Sequence, residues 1–186
     1  YFVWSRSPDL GYLDHPPMVA WLASWVDQHH VLMARLGIIG WSFVGVLFTY
    51  KIIKKLEPRY LNHWLTAWIL MLFSIAAIAA GFLLTPDGAM MPQWIAAIYC
   101  FMCAARGSAK HWKYAGLWTG LGFLGKYMIV LVPIGVLSGL WLGRHSIDFK
   151  GLLKSAMVAM VVISPHLIWN TQHNWVTPAF ILERGF

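Results

Sequence analysis

The chain has 186 residues, of which 59% are A, V, I, L, M, F, W, Y or C and only 11% are charged, with a mean hydropathy of +0.61. A soluble domain carries about 45–50% apolar and about 25% charged residues, so a water-soluble globule of this size is excluded, as are disorder, collagen and a disulfide scaffold. The net charge of +7, from 14 Lys+Arg against 7 Asp+Glu, does not point to nucleic acid, because the basic residues fill short gaps between apolar runs and form no basic-aromatic patch.

The strand alternation of an outer-membrane barrel is absent, which leaves an all-α, polytopic transmembrane domain. The front loop, Tyr1 to His30, contains an amphipathic stretch from Met18 to Val26, and Trp21 and Trp25 suit an interfacial helix there. A first span runs from about Leu32 to Tyr50 and meets Lys51, Lys54, Lys55 and Arg59, a basic gap expected on the cytoplasmic side. A second runs from Leu61 to Leu84 and ends at Thr85-Pro86-Asp87-Gly88, which has turn chemistry and is expected outside. The run from Pro92 to Ala105 covers only about 20 Å, so either the bilayer thins or the outer loop dips inward. Arg106, Lys110 and Lys113 follow.

The stretch from Tyr114 to Gly143 is too long for one span and is basic at both flanks, with Arg144, Lys150 and Lys154 after it. Two short legs, up and back, satisfy that charge pattern. The break is expected near Gly125-Lys126, with Pro133 opening the return leg and Lys126 at the outer tip. Gly120, Gly122 and Gly125 weaken the helix and permit close approach. A last span, Gly151 to Trp169, carries Pro165 and His166 and leaves the tail, Asn170 to Phe186, outside. Cys100 and Cys103 lie inside an apolar run and read as buried packing residues. Neither terminus has the look of a natural end, so the chain reads as one membrane domain, residues 1–186, incomplete at both ends.

This layout gathers polar residues on one face. Asp14-His15 precede two prolines, which hold the turn rigid. Lys126 sits at membrane depth, where a charge is expensive. His173, Asn174 and Arg184 arrive from the tail. Cations at the membrane boundary can hold the phosphate of a lipid carrier, and a nearby carboxylate can orient or deprotonate a hydroxyl. Plain readings stand beside these: Asp87 as a turn former, Asp14-His15 as a loop cap, Lys126 snorkelling to headgroups. His166 reads as a satisfied packing histidine. His29, His30 and His63 read as interfacial, and most tryptophans as belt residues, with Trp4 or Trp175 open as a sugar platform. No ligand cluster for a metal is visible, which leaves a metal requirement undecided.

Leu10-Gly11-Tyr12-Leu13-Asp14-His15-Pro16-Pro17-Met18-Val19-Ala20-Trp21 resembles the first outer-loop signature of the protein O-mannosyltransferase-like glycosyltransferases. This is the branch of the GT-C superfamily that includes the lipid A aminoarabinose transferase. Thr85-Pro86-Asp87 resembles its second-loop motif. Gly120 to Tyr127 resembles its Gly-rich segment ending in Lys, and Trp169 to Val176 its Trp-Asn-x-x-His-x-Trp stretch. The resemblance implies a polytopic enzyme taking sugar from a polyprenyl phosphate on the periplasmic or lumenal side, by an inverting single displacement. The carrier-linked sugar is then a substrate, no cofactor is required for certain, and the partners are membrane lipids and an acceptor glycan, lipid or protein. A bacterial inner membrane with the active face to the periplasm is the implied location.

By the same resemblance His15 and Lys126 contact the donor phosphate, while Tyr12, His173, Asn174 and Arg184 are substrate-site candidates. Asp14 and Asp87 are weaker candidates for carboxylates in the chemistry. The family's catalytic Asp-Glu pair is expected upstream of residue 1, so the isolated 186 residues are expected to be inactive. The competing class is a transporter or flippase for a lipid-linked or anionic substrate. It needs polar residues at the midplane with access from both sides.

Overall fold

The computed structural model describes residues 2–24, 30–56, 58–59 and 83–184. The expected second span falls outside them except for its last two residues, as do Trp25, His29 and His63. Among the described residues eight α-helices follow in order: α1 Phe2–Ser5, α2 Met18–Ser24, α3 Val31–Leu56, α4 Pro86–Ala105, α5 Lys110–Gly125, α6 Leu131–Leu142, α7 Phe149–Gln172 and α8 Val176–Arg184. A 3₁₀ turn, Tyr127–Val130, joins α5 to α6, and no strand occurs among the described residues.

The helices α3, α4 and α7 are long and apolar enough to cross a membrane. They pack through α4 against α3, α4 against α5, and α5 against α7. In α4, 61% of the most apolar stretch is buried, against 11% in α3 and 17% in α7, so α4 is the central helix. Leu153, Met157, Met160 and Val161 of α7 are exposed, a face suited to hydrocarbon.

The Thr85-Pro86-Asp87-Gly88 sequence starts α4; it is not a free turn. Thr85 is the N-cap, its Oγ1 accepting from the Gly88 amide at 3.2 Å, and Pro86 opens the helix. A proline at that position loses no helical hydrogen bond. The added turn makes α4 20 residues long, about 30 Å, so neither bilayer thinning nor a dipping loop is needed. Pro92 lies inside the helix, where α3 crosses closely: a Cβ on Gly45 would stand 3.4 Å from Pro92 Cα.

The 114–143 stretch folds back. The rings of Phe101 and Trp112 lie 6.0 Å apart, and a Cβ on Gly125 would stand 3.1 Å from the Met90 amide, so α5 runs antiparallel to α4. The chain breaks at Lys126, whose backbone is extended (φ −159°, ψ 137°). Leg α6 then descends to the end where α5 began, because Leu140 lines a cavity with Ala104, Ala105, Trp112 and Asp148. Helix α7 climbs parallel to α5. Gly116 faces the Ser155 carbonyl and Gly120 faces Val162, so any side chain at Gly116 meets backbone.

Helix α2 lies in the outer-face loop and packs on protein: Met18, Val19, Ala20, Leu22 and Ala23 are buried, and it contacts α1, α3, α4 and α5. Trp21 is half-buried, and Trp25 and Val26 lie outside the described residues. Cys100 and Cys103 are free and buried, as expected.

Candidate functional site

The fold-back sets Lys126 beside the start of α4. Its Nζ lies 2.7 Å from Asp87 Oδ1, with the two side chains 33% and 52% exposed. Asp87 is in the first turn of α4, where unsatisfied amides and the helix dipole favour a carboxylate. The pair is half open to solvent, so the attraction is worth only about 0.2–1 kcal/mol. It is a contact that another ion can replace.

The first loop closes over the same end. Pro16 and Pro17 are fully buried, and the Pro17 carbonyl accepts from the Ala20 and Trp21 amides at the start of α2. His15 is half-buried just before them. Its pKa is pushed below the ordinary histidine value, first by burial and then by Lys126; Asp14 and Asp87 act in the opposite direction. His15 thus feels both members of the ion pair, and the di-proline corner and the hairpin tip share one electrostatic environment. Asp14 Oδ1 is buried and finds no hydrogen-bond partner among the described residues, a costly state for a carboxylate oxygen.

Tyr12 shapes the loop from within. Its ring stacks on Trp4 with centroids 4.5 Å apart, and its hydroxyl accepts from the Asp9 amide at 3.0 Å. Burial is the main reason its pKa is raised; the Asp9 amide bond lowers it and the Asp9 charge adds to the rise. The Tyr12 carbonyl accepts from Thr177 Oγ1 of α8 at 2.7 Å.

A buried polar knot fastens loop, hairpin and α7 together. His166 Nδ1 donates to the Leu10 carbonyl at 2.8 Å. A carbonyl can only accept, so in the neutral ring Nε2 is the acceptor. It receives the Tyr127 hydroxyl at 2.8 Å and the Asn170 amide at 3.1 Å. His166 is 1% exposed and Asn170 2%. Gly11 lies against the Trp169 ring, leaving no room there for a Cβ. The satisfied packing histidine expected from the sequence is present, and Tyr127, Asn170 and Thr177 were not anticipated beside it. The available signals were Tyr127 directly after Lys126, and the four-residue spacing of His166 and Asn170 near the end of an apolar helix.

The end of α7 and the tail reach the first loop through Trp169, which lies against Gly11, and through Thr177, which donates to the Tyr12 carbonyl. His173 closes α7, with its ring stacked on Trp169 at 4.0 Å and its Nδ1 donating to the Trp169 carbonyl at 2.7 Å. Asn174 and Trp175 have left-handed backbone, φ 54° and 55°, and turn the chain into α8. The helical hydrogen bonds at the end of α7 hold His173 on its own helix. Arg184 ends α8, and its side chain lies outside the described residues. No three His, Cys, Asp or Glu side chains come together for a metal among the described residues.

Membrane-length helices carrying a charged, hydrogen-bonded pole at one end define a polytopic membrane protein with a polar site at its surface. Residues 14–169 match the family model described as dolichyl-phosphate-mannose-protein mannosyltransferase, and the chain belongs to that family of membrane glycosyltransferases. The lipid A galacturonosyltransferase RgtD of Rhizobium johnstonii is 28% identical over 186 aligned residues, which take in 95% of this chain and 38% of the relative. The chain therefore spans well under half the length of that relative. No solved structure matches it.

Proposed function

We propose that this chain supplies the donor-phosphate end of an enzyme that moves a sugar from a polyprenyl-phosphate carrier to an acceptor on the periplasmic side of the membrane. The observation that carries the reading is the fold-back that sets Lys126 2.7 Å from Asp87, two charges that both act on the pKa of His15. An acceptor oxygen attacks the anomeric carbon as the bond from that carbon to the phosphate oxygen breaks, inverting the centre. The acceptor's proton passes to a carboxylate, and the charge growing on the leaving phosphate is stabilised by Lys126 and, when protonated, His15. Asp14 and Asp87 are the candidate carboxylates at that end. The site's charges lie together at one pole, which favours transfer over transport across the midplane. The rhizobial relative is a lipid A galacturonosyltransferase, which makes a galacturonic acid donor and a lipid A acceptor the first pair to assay.

In the native protein in lipid nanodiscs, a polyprenyl phosphate should bind more tightly at low salt than at high salt. Lys126→Ala should weaken that binding by tenfold or more, about 1.4 kcal/mol. It should also lower transfer about 100-fold with expression unchanged. Salt-independent binding, or full turnover by Lys126→Ala, removes the cationic pocket.

A further inference from the structure

The Lys126–Asp87 pair occupies the ammonium that the donor phosphate needs. We infer that Asp87 is a stand-in counter-ion: the arriving phosphate displaces it from Lys126, and the released carboxylate becomes available to a hydroxyl of the acceptor. The inference rests on the reading just given and adds an order to it, donor before acceptor.

Three features support the exchange. The contact is a single 2.7 Å approach between half-exposed side chains, so neither partner is locked by burial. The two groups come from separate elements, Asp87 from the first turn of α4 and Lys126 from the extended break after α5. Lys126 can therefore turn its long stem to a phosphate without moving a helix. Asp87 also keeps a favourable place once its partner leaves, since the N-terminus of α4 stabilises a carboxylate there. A phosphate carries at least one full negative charge and several acceptor oxygens, and charge-assisted bonds to it replace the one the carboxylate gives up. No covalent step is involved in the exchange; one anion replaces another at the ammonium.

Equilibrium binding of a polyprenyl phosphate to the native protein in nanodiscs tests this, in a cycle of Asp87→Asn, Lys126→Gln and the double variant. Asp87→Asn should bind the probe about two- to fivefold more tightly than native, the scale of an exposed ion pair that no longer competes. Asp87→Glu, which keeps the pair, should stay near native. In the Lys126→Gln background the same Asp87→Asn change should give no gain. Unchanged or weaker binding by Asp87→Asn overturns the exchange. So does an equal gain with and without Lys126, which would mean only that a negative charge had been removed. Probe binding that is indifferent to Lys126→Gln alone refutes instead the donor-phosphate reading. In steady-state assays, Asp87→Asn should lower both the donor KM and kcat, whereas a merely structural role would raise KM or leave it unchanged.

Discussion

The two ends of the helical bundle are built differently. At the site end, polar groups from distant parts of the sequence meet: Leu10 with His166, Tyr12 with Thr177, Asp87 with Lys126, Tyr127 with His166. At the other end the cations rest on rings, Lys51 over Phe48 at 4.8 Å and over Tyr99 at 5.9 Å, and Lys54 over Tyr50 at 5.9 Å. His111 there meets Ser108, three residues away. Lysines that need only stay on one side of a membrane are satisfied by headgroups and ring faces. Polar groups drawn together over long chain separations require specific folding, and that is the end at which we propose the donor phosphate binds.

This contrast can be broken by substitution. After Lys126→Ala, the largest effect is expected from His166→Phe. It leaves the Leu10 carbonyl without its donor and the Tyr127 hydroxyl without its acceptor, at about 1–3 kcal/mol for each buried group. The thermal midpoint should fall and donor KM should rise, because loop and hairpin tip lose their common anchor. A variant of unchanged stability and unchanged donor KM would show that the knot fastens nothing.

His15 gives a smaller, pH-dependent effect. Burial holds its free-state pKa below the ordinary value. A bound phosphate favours the imidazolium, so the pKa rises on binding and a proton is taken up. Affinity relative to a His15→Gln variant should therefore grow as pH falls from neutral through the histidine range. A native-to-variant ratio that stays flat with pH contradicts phosphate contact by His15. At the opposite end, Lys113→Gln should change transfer by less than about twofold, the scale of a solvated charge, and a large loss would mean that the basic end also takes part.

The hairpin was legible because basic flanks on both sides of an apolar stretch forbid a single crossing, and because Gly125-Lys126 is a poor place to continue a helix. Thr85-Pro86-Asp87-Gly88 read as a turn since Pro-Asp-Gly serves a tight turn and a helix start alike; the 20-residue helix after Thr85 decides between them. For α2 periodicity shows that a face is apolar, and only the fold shows that helices of the protein cover most of it. The knot around His166 depends on partners up to 156 positions away, which no local pattern encodes. The local geometry of His173 and Asn174 was not legible either: the end of α7 stacks one on Trp169 and places the other where the chain changes direction.

The hairpin is what makes the site possible, and side-specific labelling of single cysteines in intact cells tests it directly. Lys113→Cys and Arg144→Cys should both react from one side of the membrane and Lys126→Cys from the other. Reaction of Lys113→Cys and Arg144→Cys from opposite sides would mean that the stretch crosses once, and the ammonium would then have no route to the first loop.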